Sequence, residues 1–288
     1  MQSKTIAIPN MIEPTPKYDP STLNGALALL GREDLRPVFN KIEQKYLYWD
    51  KVKYLCPKSI NPTIFWQAVK FTRTVPVKTV KFGNHHFHFT ITEKMLALLH
   101  KFDLNFGGSL SSEGALTPND RKYFLSSSIM EEAIASSQME GANTTRKVAK
   151  DMLRRQLTPK NKSERMILNN YETIKFISEN SEDTLCEDLI LRLHKMISFS
   201  TLDDTEDEGK FRDHDDILVM NAINGEIAHV PPAFSQIPDL IKDVCTFANE
   251  DNKDGFIHPI IKGIIIHFML AYIHPFCDGN GRTARSLI

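Results

Sequence analysis

A string near the end of the sequence combines residue types that suit the transfer of a phosphate-linked group. It reads His-Pro-Phe-Cys-Asp-Gly-Asn-Gly-Arg-Thr-Ala-Arg over residues 274–285. The imidazole of His274 is a candidate base, and the carboxylate of Asp278 suits a hard divalent cation. The glycines predict a turn whose backbone amides form an anion-binding nest at the start of a new helix. Arg282 and Arg285 follow on one face of that helix, where guanidiniums can hold phosphate oxygens.

A base, a metal ligand, an amide nest and two guanidiniums are the components of a phosphoryl- or nucleotidyl-transfer site. Each is a weak signal alone, because a Gly-Asn-Gly sequence is more often a plain turn. Together they agree with the signature HxFx(D/E)GNGRxxR at every defined position, and in this string the chain resembles the Fic-domain family. The resemblance extends to Gly209–Arg212, which either position a flap or line the site, and it covers about residues 118–288.

The resemblance implies a mainly α fold, with a Fic-type helical core, a β-hairpin flap and a small mixed α/β N-terminal region. It makes His274 the general base that takes the proton from a target hydroxyl. It makes Asp278 the residue that holds Mg²⁺ against the phosphates of ATP. The phosphate-binding residues that it implies are Gly279, Asn280, Gly281, Arg282 and Arg285. The products are an AMP-modified protein side chain and pyrophosphate.

A second motif precedes this core at Ile134–Gly141. It resembles the inhibitory helix (S/T)xxxE(G/N), with Ser136 and Glu140 at the defining positions, in the class where that helix lies before the Fic core. The resemblance implies that Glu140 pairs with Arg285 where the γ-phosphate of ATP should lie, so the enzyme is inactive by default. The alternative is that Glu140 is a solvated residue at a helix end, before a capping Gly141.

Two apolar runs around an Asn-Gly pair at 224–225 predict a β-hairpin between residues 217 and 230. The resemblance makes this hairpin the family's flap, which covers the site and holds an extended stretch of the target by strand addition. The alternative is a plain edge hairpin on a helical core. The residues expected to dock the target are Ile217, Leu218, Val219, His229 and Val230.

Helical patterns dominate beyond a Ser- and Gly-rich boundary at residues 107–114. Apolar periodicity predicts helices over residues 118–139, 144–157, 163–179, 185–197, 234–249 and 259–272. Thr144 and Ser163 are among the predicted N-caps. The predicted division is an N-terminal region, residues 1–110, and a Fic domain, residues 111–288, with its inhibitory helix at about 118–140 and its motif at 274–285.

The N-terminal region matches no motif that indicates an activity. Prolines punctuate an arm at its start, which we expect to lie across another surface. An amphipathic helix follows, with apolar residues at helical spacing from Leu35 to Tyr46. Alternating runs lie at Ala68–Thr72 and Val77–Phe82, and a Gly83-Asn84 turn before His85–Phe89 predicts a small hairpin.

Composition limits the classes of partner. The 35 Lys and Arg against 36 Asp and Glu leave a net charge of −1, so no global basic excess favours nucleic acid or an anionic membrane. The four cysteines form no CxxC pair, and because the first twenty residues contain no apolar stretch of the length a signal peptide needs, none is expected. The longest apolar run, residues 260–273, is shorter than the ~20 residues that span a bilayer and predicts a buried core helix. These features predict a cytoplasmic protein, in which the acidic stretch at 201–208 is a solvated loop.

We therefore expect a protein adenylyltransferase that uses ATP and Mg²⁺ to modify a Ser, Thr or Tyr hydroxyl of a target protein, or of itself. Two alternatives stay open. The same site, with Glu140 aligning a water molecule, would remove AMP from a modified protein, or the chain would be a non-catalytic module that senses a nucleotide. No direct nucleic-acid binding and no membrane contact are expected, and the sequence leaves the target and the oligomeric state open.

Overall fold

The computed structural model describes residues 20–74, 77–106, 118–221, 225–250 and 255–287. Within these ranges the chain is mainly helical with two small antiparallel hairpins, which confirms the predicted fold class. The helices are α1 Pro20–Leu30, α2 Arg36–Lys45, α3 Trp49–Val52, α4 Pro62–Thr74, α5 Glu93–Phe106, α6 Pro118–Met139, α7 Arg146–Arg154, α8 Lys162–Glu179, α9 Glu187–Ser198, α10 Ile237–Asn249, α11 Pro259–Ile273 and α12 Asn280–Ser286. The strands are β1 Lys78–Phe82, β2 His85–Phe89, β3 Val219–Met220 and β4 Ile227–His229.

The chain divides into two compact units, and the first consists of Met1–Lys81 and His86–Leu110. In this unit α1 packs against α4, and Phe39 of α2 stacks on Phe65 of α4 with 5.1 Å between the ring centroids. The predicted amphipathic helix is therefore confirmed as α2. The start of the predicted arm and the predicted boundary at 107–114 lie outside the described residues.

The alternating run at Ala68–Thr72 is part of a helix, so a strand at this place is wrong. Phe65 and Val69, four positions apart in α4, are both fully buried on one helical face. A window of five residues is too short to separate alternation from helical periodicity, and the core of the unit selects the helix. The small hairpin itself is confirmed as β1 and β2, with Gly83 in the left-handed region at φ 54°.

The second unit consists of Phe82–His85 and Ser111–Ile288 and contains the motif. Its central helix, α8, packs against α6 and α9. The short helix α12 contacts α6, α8, α9 and α11, and Ala284 in its middle is fully buried. The second half of the motif, residues 280–285, is therefore carried on a helix that the core holds from several sides.

Two of the predicted N-caps are displaced by one or two residues. Thr145 caps α7, since its Oγ1 accepts a hydrogen bond from the Val148 amide at 3.3 Å. Asn161 caps α8, with Oδ1 accepting from the Glu164 amide at 2.9 Å. The predicted cap Ser163 instead accepts a hydrogen bond from a distant backbone amide, so a tertiary contact decides between neighbouring candidates.

The longest apolar run forms α11, and only one of its faces is buried. The buried residues of the helix are Ile261, Ile266, Met269, Leu270 and Ile273. Ile264 and Phe268, four positions apart on another face, are 47% and 48% exposed. Among the described helices, none combines the length and the apolar character that a membrane span needs.

The hairpin predicted between residues 217 and 230 is present as β3 and β4, with shorter strands than the apolar runs. Val219 pairs with His229 and Met220 with Ile227, with an irregularity between the two pairs. The turn residues 222–224 lie outside the described part of the chain.

Candidate active site

His274 ends α11 in a left-handed backbone conformation, with φ 49° and ψ 59°. Such values are uncommon for a residue other than glycine and persist only where surrounding contacts hold them. The His274 amide donates to the Leu270 carbonyl at 3.0 Å and closes the last turn of the helix. Because Pro275 follows and cannot continue the helix, the chain turns here into the motif loop.

Arg212 supplies contacts that hold this turn. Its Nε donates to the His274 carbonyl at 3.0 Å, and its backbone amide donates to the Pro275 carbonyl at 2.9 Å. Nη1 donates to Asp215 Oδ1 at 3.0 Å, and Nη2 donates to the Pro232 carbonyl at 2.5 Å. The buried guanidinium therefore ties the candidate base to the segments on both sides of the β3–β4 hairpin.

Phe276 and Asn280 fix the motif loop from inside. The Phe276 side chain is 1% exposed and anchors the loop in the core. Asn280 Oδ1 accepts from the Phe276 amide at 2.9 Å, and Asn280 Nδ2 donates to the Phe276 carbonyl at 2.7 Å. This double hydrogen bond closes the loop, so that the residues between them have a fixed path.

His194 of α9 supports the same loop. Its ring lies parallel to that of Phe276, with 3.7 Å between the centroids and 2° between the planes. Nε2 donates to the Asp278 carbonyl at 2.9 Å, and Nδ1 accepts from the Gly209 amide at 3.0 Å. These two hydrogen bonds require the neutral tautomer that carries its proton on Nε2. Burial favours this neutral form and lowers the pKa of His194 to about 4.

Asp278 and Gly279 form the tip of the loop. The Asp278 side chain is exposed, and its Oδ1 accepts from the Gly279 amide at 2.5 Å. Gly279 has φ 78°, and a Cβ there would lie 3.2 Å from His194 Nε2, so both the conformation and the space favour glycine. The second carboxylate oxygen of Asp278 makes no hydrogen bond to the part of the chain that is described, which leaves it available as a ligand.

Arg282 is buried beneath the nest, with 2% of its surface exposed. Its Nη1 donates to the Ile197 carbonyl at 3.1 Å, whereas its Nε is buried without a hydrogen-bond partner among the described residues. Burial lowers the pKa of Arg282, and the carboxylates of Asp278 and Glu140 oppose that shift. A buried N–H without a partner is costly. The Arg282 atom that lies nearest the nest is Nη2, which is 3.7 Å from the position of a Cβ on Gly279.

Glu140 reaches the other arginine of the motif. Arg285 Nη2 donates to Glu140 Oε1 at 2.5 Å, and Arg285 Nε donates to Ser136 Oγ at 2.8 Å. Ser136 is buried in α6, and the side chains of Arg285 and Glu140 are 20% and 34% exposed. The second motif and the last arginine of the first are therefore in contact, and Glu140 is paired with Arg285 while its side chain stays partly exposed to solvent.

The Glu140 carboxylate also covers Gly281 in the nest. A Cβ added to Gly281 would collide with Glu140 Oε1 and would lie 3.1 Å from Arg285 Nη1. The space above this glycine is therefore filled by a carboxylate. A phosphate drawn to the same amides and the same guanidinium would have to displace it.

Hydrogen bonds to α8 fix the end of α6 that carries Glu140. Asn170 Nδ2 donates to the Ala133 carbonyl at 3.2 Å, and Ser137 Oγ donates to the Met166 carbonyl at 3.3 Å. These groups are all buried, and α6 stops just before a glycine with φ 90°. Glu140 therefore projects from a helix end whose position the core determines.

The electrostatic surroundings of His274 favour its neutral form. Burial lowers its pKa below the ordinary 6.5, and the charges of Arg212 and His229 act in the same direction. A contact of 3.4 Å between Nδ1 and the Ala271 carbonyl, and the charge of Glu140, oppose this shift. With the proton on Nδ1, the lone pair of Nε2 is free to accept a proton at neutral pH.

The β3–β4 hairpin presents apolar side chains to solvent. Leu218, Met220, Ile227 and Val230 are exposed, and Ile217 and Val219 are half-buried. His229 faces α11 instead, with Nε2 donating to the Tyr272 carbonyl at 2.7 Å and 4.8 Å between the two ring centroids. It therefore holds the base of the hairpin on the helix that carries His274.

The sequence assigns neither Arg212 nor His194 to the motif, yet both residues support it in the structure. The sequence leaves the role of Gly209–Arg212 open, and the structure places Arg212 between the hairpin and His274. His194 carries one weak signal, because it lies four positions after Ile190 and three before Ile197, on the buried face of α9. This spacing is the same for a histidine that only fills the core and for one that hydrogen-bonds the motif loop, so it does not separate the two roles.

Comparisons with known proteins point to one family. The Fic/DOC family matches residues 184–288. A protein adenylyltransferase Fic from Nematostella vectensis is 45% identical over 62 residues, which are 21% of this chain and 14% of that protein. The structure of Fic-1 from Caenorhabditis elegans has a TM-score of 0.58 and 16% identity, over 92% of this chain and 70% of that one. The structure of a Fic domain containing signaling protein from Bacteroides thetaiotaomicron has a TM-score of 0.54 and 23% identity, over 67% of this chain and 69% of that one. The chain spans a small fraction of the curated relative, and the two solved structures share its fold.

Proposed function

We propose that this chain, whose residues 184–288 match the Fic/DOC family, is a protein adenylyltransferase that its own Glu140 holds inactive. The observation that carries the proposal is the arrangement of side chains and backbone amides around the motif loop. A neutral His274 is clamped in place, the amide nest has two arginines, and an exposed carboxylate lies at the tip. The name of the Nematostella vectensis relative, a protein adenylyltransferase, agrees with the reaction proposed.

In the proposed reaction, His274 Nε2 takes the proton from a Ser, Thr or Tyr hydroxyl of the target. The hydroxyl oxygen forms a bond to the α-phosphorus of ATP, and the bond between that phosphorus and the bridging oxygen of the β-phosphate breaks. Pyrophosphate leaves, and AMP stays on the target. The backbone amides of residues 279–281 and the guanidinium of Arg282, whose Nη2 lies beside Gly279, stabilise the charge that develops on the phosphate oxygens.

Mg²⁺ fits the donor set at the tip of the loop. In protein sites Mg²⁺ is held by one or two carboxylates together with the phosphates of a substrate, and Asp278 offers one exposed carboxylate beside the nest. Among the described residues no cluster of three His, Cys, Asp or Glu side chains would hold a metal ion without a substrate. When bound, Mg²⁺ supplies neutralisation of the phosphate charge.

Glu140 accounts for the inactive state in this proposal. Its carboxylate lies against Gly281 and Arg285, the groups that the terminal phosphate of a correctly placed ATP would need. A carboxylate and a phosphate draw on the same charge-assisted hydrogen bonds, so only one of them occupies the place at a time. ATP that binds while Glu140 is present is therefore held in an unproductive position or excluded.

Incubation of the purified chain with α-labelled ATP and Mg²⁺ tests the proposal, with the chain itself and a cell lysate as acceptors. We expect strong labelling by Glu140→Gly and very little by the wild type. His274→Ala in the Glu140→Gly background should lower labelling by about 10²-fold or more, because it removes the base. Glu182→Gly, the same exchange at an exposed turn, serves as the control and should behave as the wild type.

Nucleotide binding, measured by calorimetry on the same variants, separates the explanations. If Glu140→Gly binds ATP and transfers no label to any acceptor, the proposed transferase activity is wrong. If the wild type labels as fast as Glu140→Gly, the activity stands and the inhibitory role of Glu140 is wrong.

A further inference from the structure

A second concentration of charge lies outside the motif loop, on α7 and the segment that follows it. Residues 146–165 contain eight basic and two acidic residues, in a chain whose net charge is −1. The basic residues are Arg146, Lys147, Lys150, Arg154, Arg155, Lys160, Lys162 and Arg165, and the acidic residues are Asp151 and Glu164. Such a local excess attracts an anionic partner even where the whole chain is close to neutral.

The structure gathers part of this charge around a groove of 690 Å³. Lys147, Lys150, Arg154 and Lys160 line it, together with the aliphatic residues Val148 and Leu157. The two aliphatic residues are 48% and 39% exposed. The groove therefore offers cations around an apolar strip, and we name it the α7 groove.

The acidic residues of the segment do not neutralise the α7 groove. Glu164 is 7% exposed, and its Oε2 accepts a hydrogen bond from the Lys160 backbone amide at 2.7 Å, so its charge is used to fix the loop. Asp151 lies 3.4 Å from Arg155. Lys150 pairs with Glu131 of α6, so it too is occupied.

Among the described residues, three cations of the α7 groove have no carboxylate within ion-pair distance, although the charge of Arg154 contributes to the lowered pKa of Glu131. The side chains of Lys147, Arg154 and Lys160 form no ion pair with any residue in the described ranges, and all three are exposed. At the edge of the same basic segment, Lys162 Nζ lies 2.8 Å from Asp203 in the acidic loop 201–208. The segment therefore already binds a carboxylate of an acidic loop at its rim.

From this pattern we infer that the α7 groove binds an acidic peptide segment of a partner protein. In this proposal the carboxylates of the peptide pair with Lys147, Arg154 and Lys160, and an apolar side chain of the peptide packs between Val148 and Leu157. A single-stranded nucleic acid is the less suitable occupant, because such ligands stack their bases on aromatic side chains and the residues that line the groove include none. The inference is independent of the proposed function, since binding alone tests it.

Fluorescence polarisation with a labelled peptide of Glu, Asp and Leu residues tests the inference on the full chain. We expect Lys147→Gln with Arg154→Gln to weaken binding by about tenfold, because two unpaired cations are lost. The control pair Lys41→Gln with Lys45→Gln removes the same charge from an exposed face of α2 and should change binding by less than about twofold. Replacement of Leu by Ser in the peptide should also weaken binding, because it removes the apolar contact.

Other outcomes would overturn the inference. Equal weakening by the two pairs of substitutions would mean general charge attraction without a site. Tighter binding of a single-stranded RNA of the same net charge would assign the groove to nucleic acid. No binding of the peptide at low salt would leave the groove without the proposed ligand. Melting temperatures of all variants verify that each is folded.

Discussion

Arg285 and Glu140 lie 145 positions apart in the sequence, and Nη2 of the arginine donates to Oε1 of the glutamate at 2.5 Å. The pair lies over Gly281, in the amide nest of the motif. Arg285 therefore presents to the nest a guanidinium that already holds a carboxylate of the same chain. Any change that weakens this pair should free the nest for phosphate.

Ser136→Ala should release part of the inhibition. Ser136 Oγ accepts a hydrogen bond from Arg285 Nε at 2.8 Å and so fixes the guanidinium that Glu140 binds. Loss of one such bond, worth about 1 kcal/mol, should raise self-labelling from α-labelled ATP about fivefold above the wild type. Ser128→Ala, at an exposed position of the same helix, is the matched control. Equal rates for the two variants would show that Ser136 does not hold Arg285 in place.

The pH dependence of transfer should reflect the environment of His274. Burial, followed by the charges of Arg212 and His229, lowers its pKa below 6.5, so the base form persists into mildly acidic solution. For Glu140→Gly we expect the acidic limb of the kcat/KM profile to be centred below pH 6.5. An acidic limb centred above pH 6.5 would contradict this assignment of the base.

Arg212→Lys should slow transfer while nucleotide binding stays. A lysine keeps the charge but cannot reproduce the planar fork that joins the His274 carbonyl to Asp215 and Pro232. Misplacement of the base by about 1 Å costs on the order of 10²-fold in kcat. Lys210→Gln, two residues away and exposed, is the control. A matching loss of ATP affinity would mean that Arg212 supports the nest rather than the base.

Acid should destabilise the fold through His194. Its pKa in the folded chain is about 4 against an ordinary 6.5, so the unfolded chain takes up a proton in this window and the folded chain does not. Stability is therefore full above pH 6.5 and decreases toward pH 4, by about 3 kcal/mol. In His194→Gln the melting temperature should fall less over this range than in the wild type or in the exposed control His100→Gln. An equal fall in all three would contradict the buried neutral state.

Local patterns account for the parts of the site that the sequence predicts. The glycines of the motif require a turn, Asn-Gly favours a hairpin, and the apolar spacing of the last helices predicts α10 and α11. Each of these signals lies within a few residues of the feature that it determines.

Contacts between distant residues account for what the sequence does not predict. His194 meets the Asp278 carbonyl across 84 positions, and Arg212 meets the His274 carbonyl across 62. Nothing near either residue in the sequence indicates its partner. The helix at Ala68–Thr72 and the cap at Asn161 have the same origin, because packing decides between local alternatives of similar energy.

AMP transfer by the Glu140→Gly variant is tested most directly by comparing ATP labelled at the α-phosphate with ATP labelled at the γ-phosphate. If the target oxygen attacks the α-phosphorus, label from α-labelled ATP should remain on the protein. Label from γ-labelled ATP should appear only in released pyrophosphate. Label on the protein from the γ position would mean phosphoryl transfer, and would contradict the proposed adenylyltransferase.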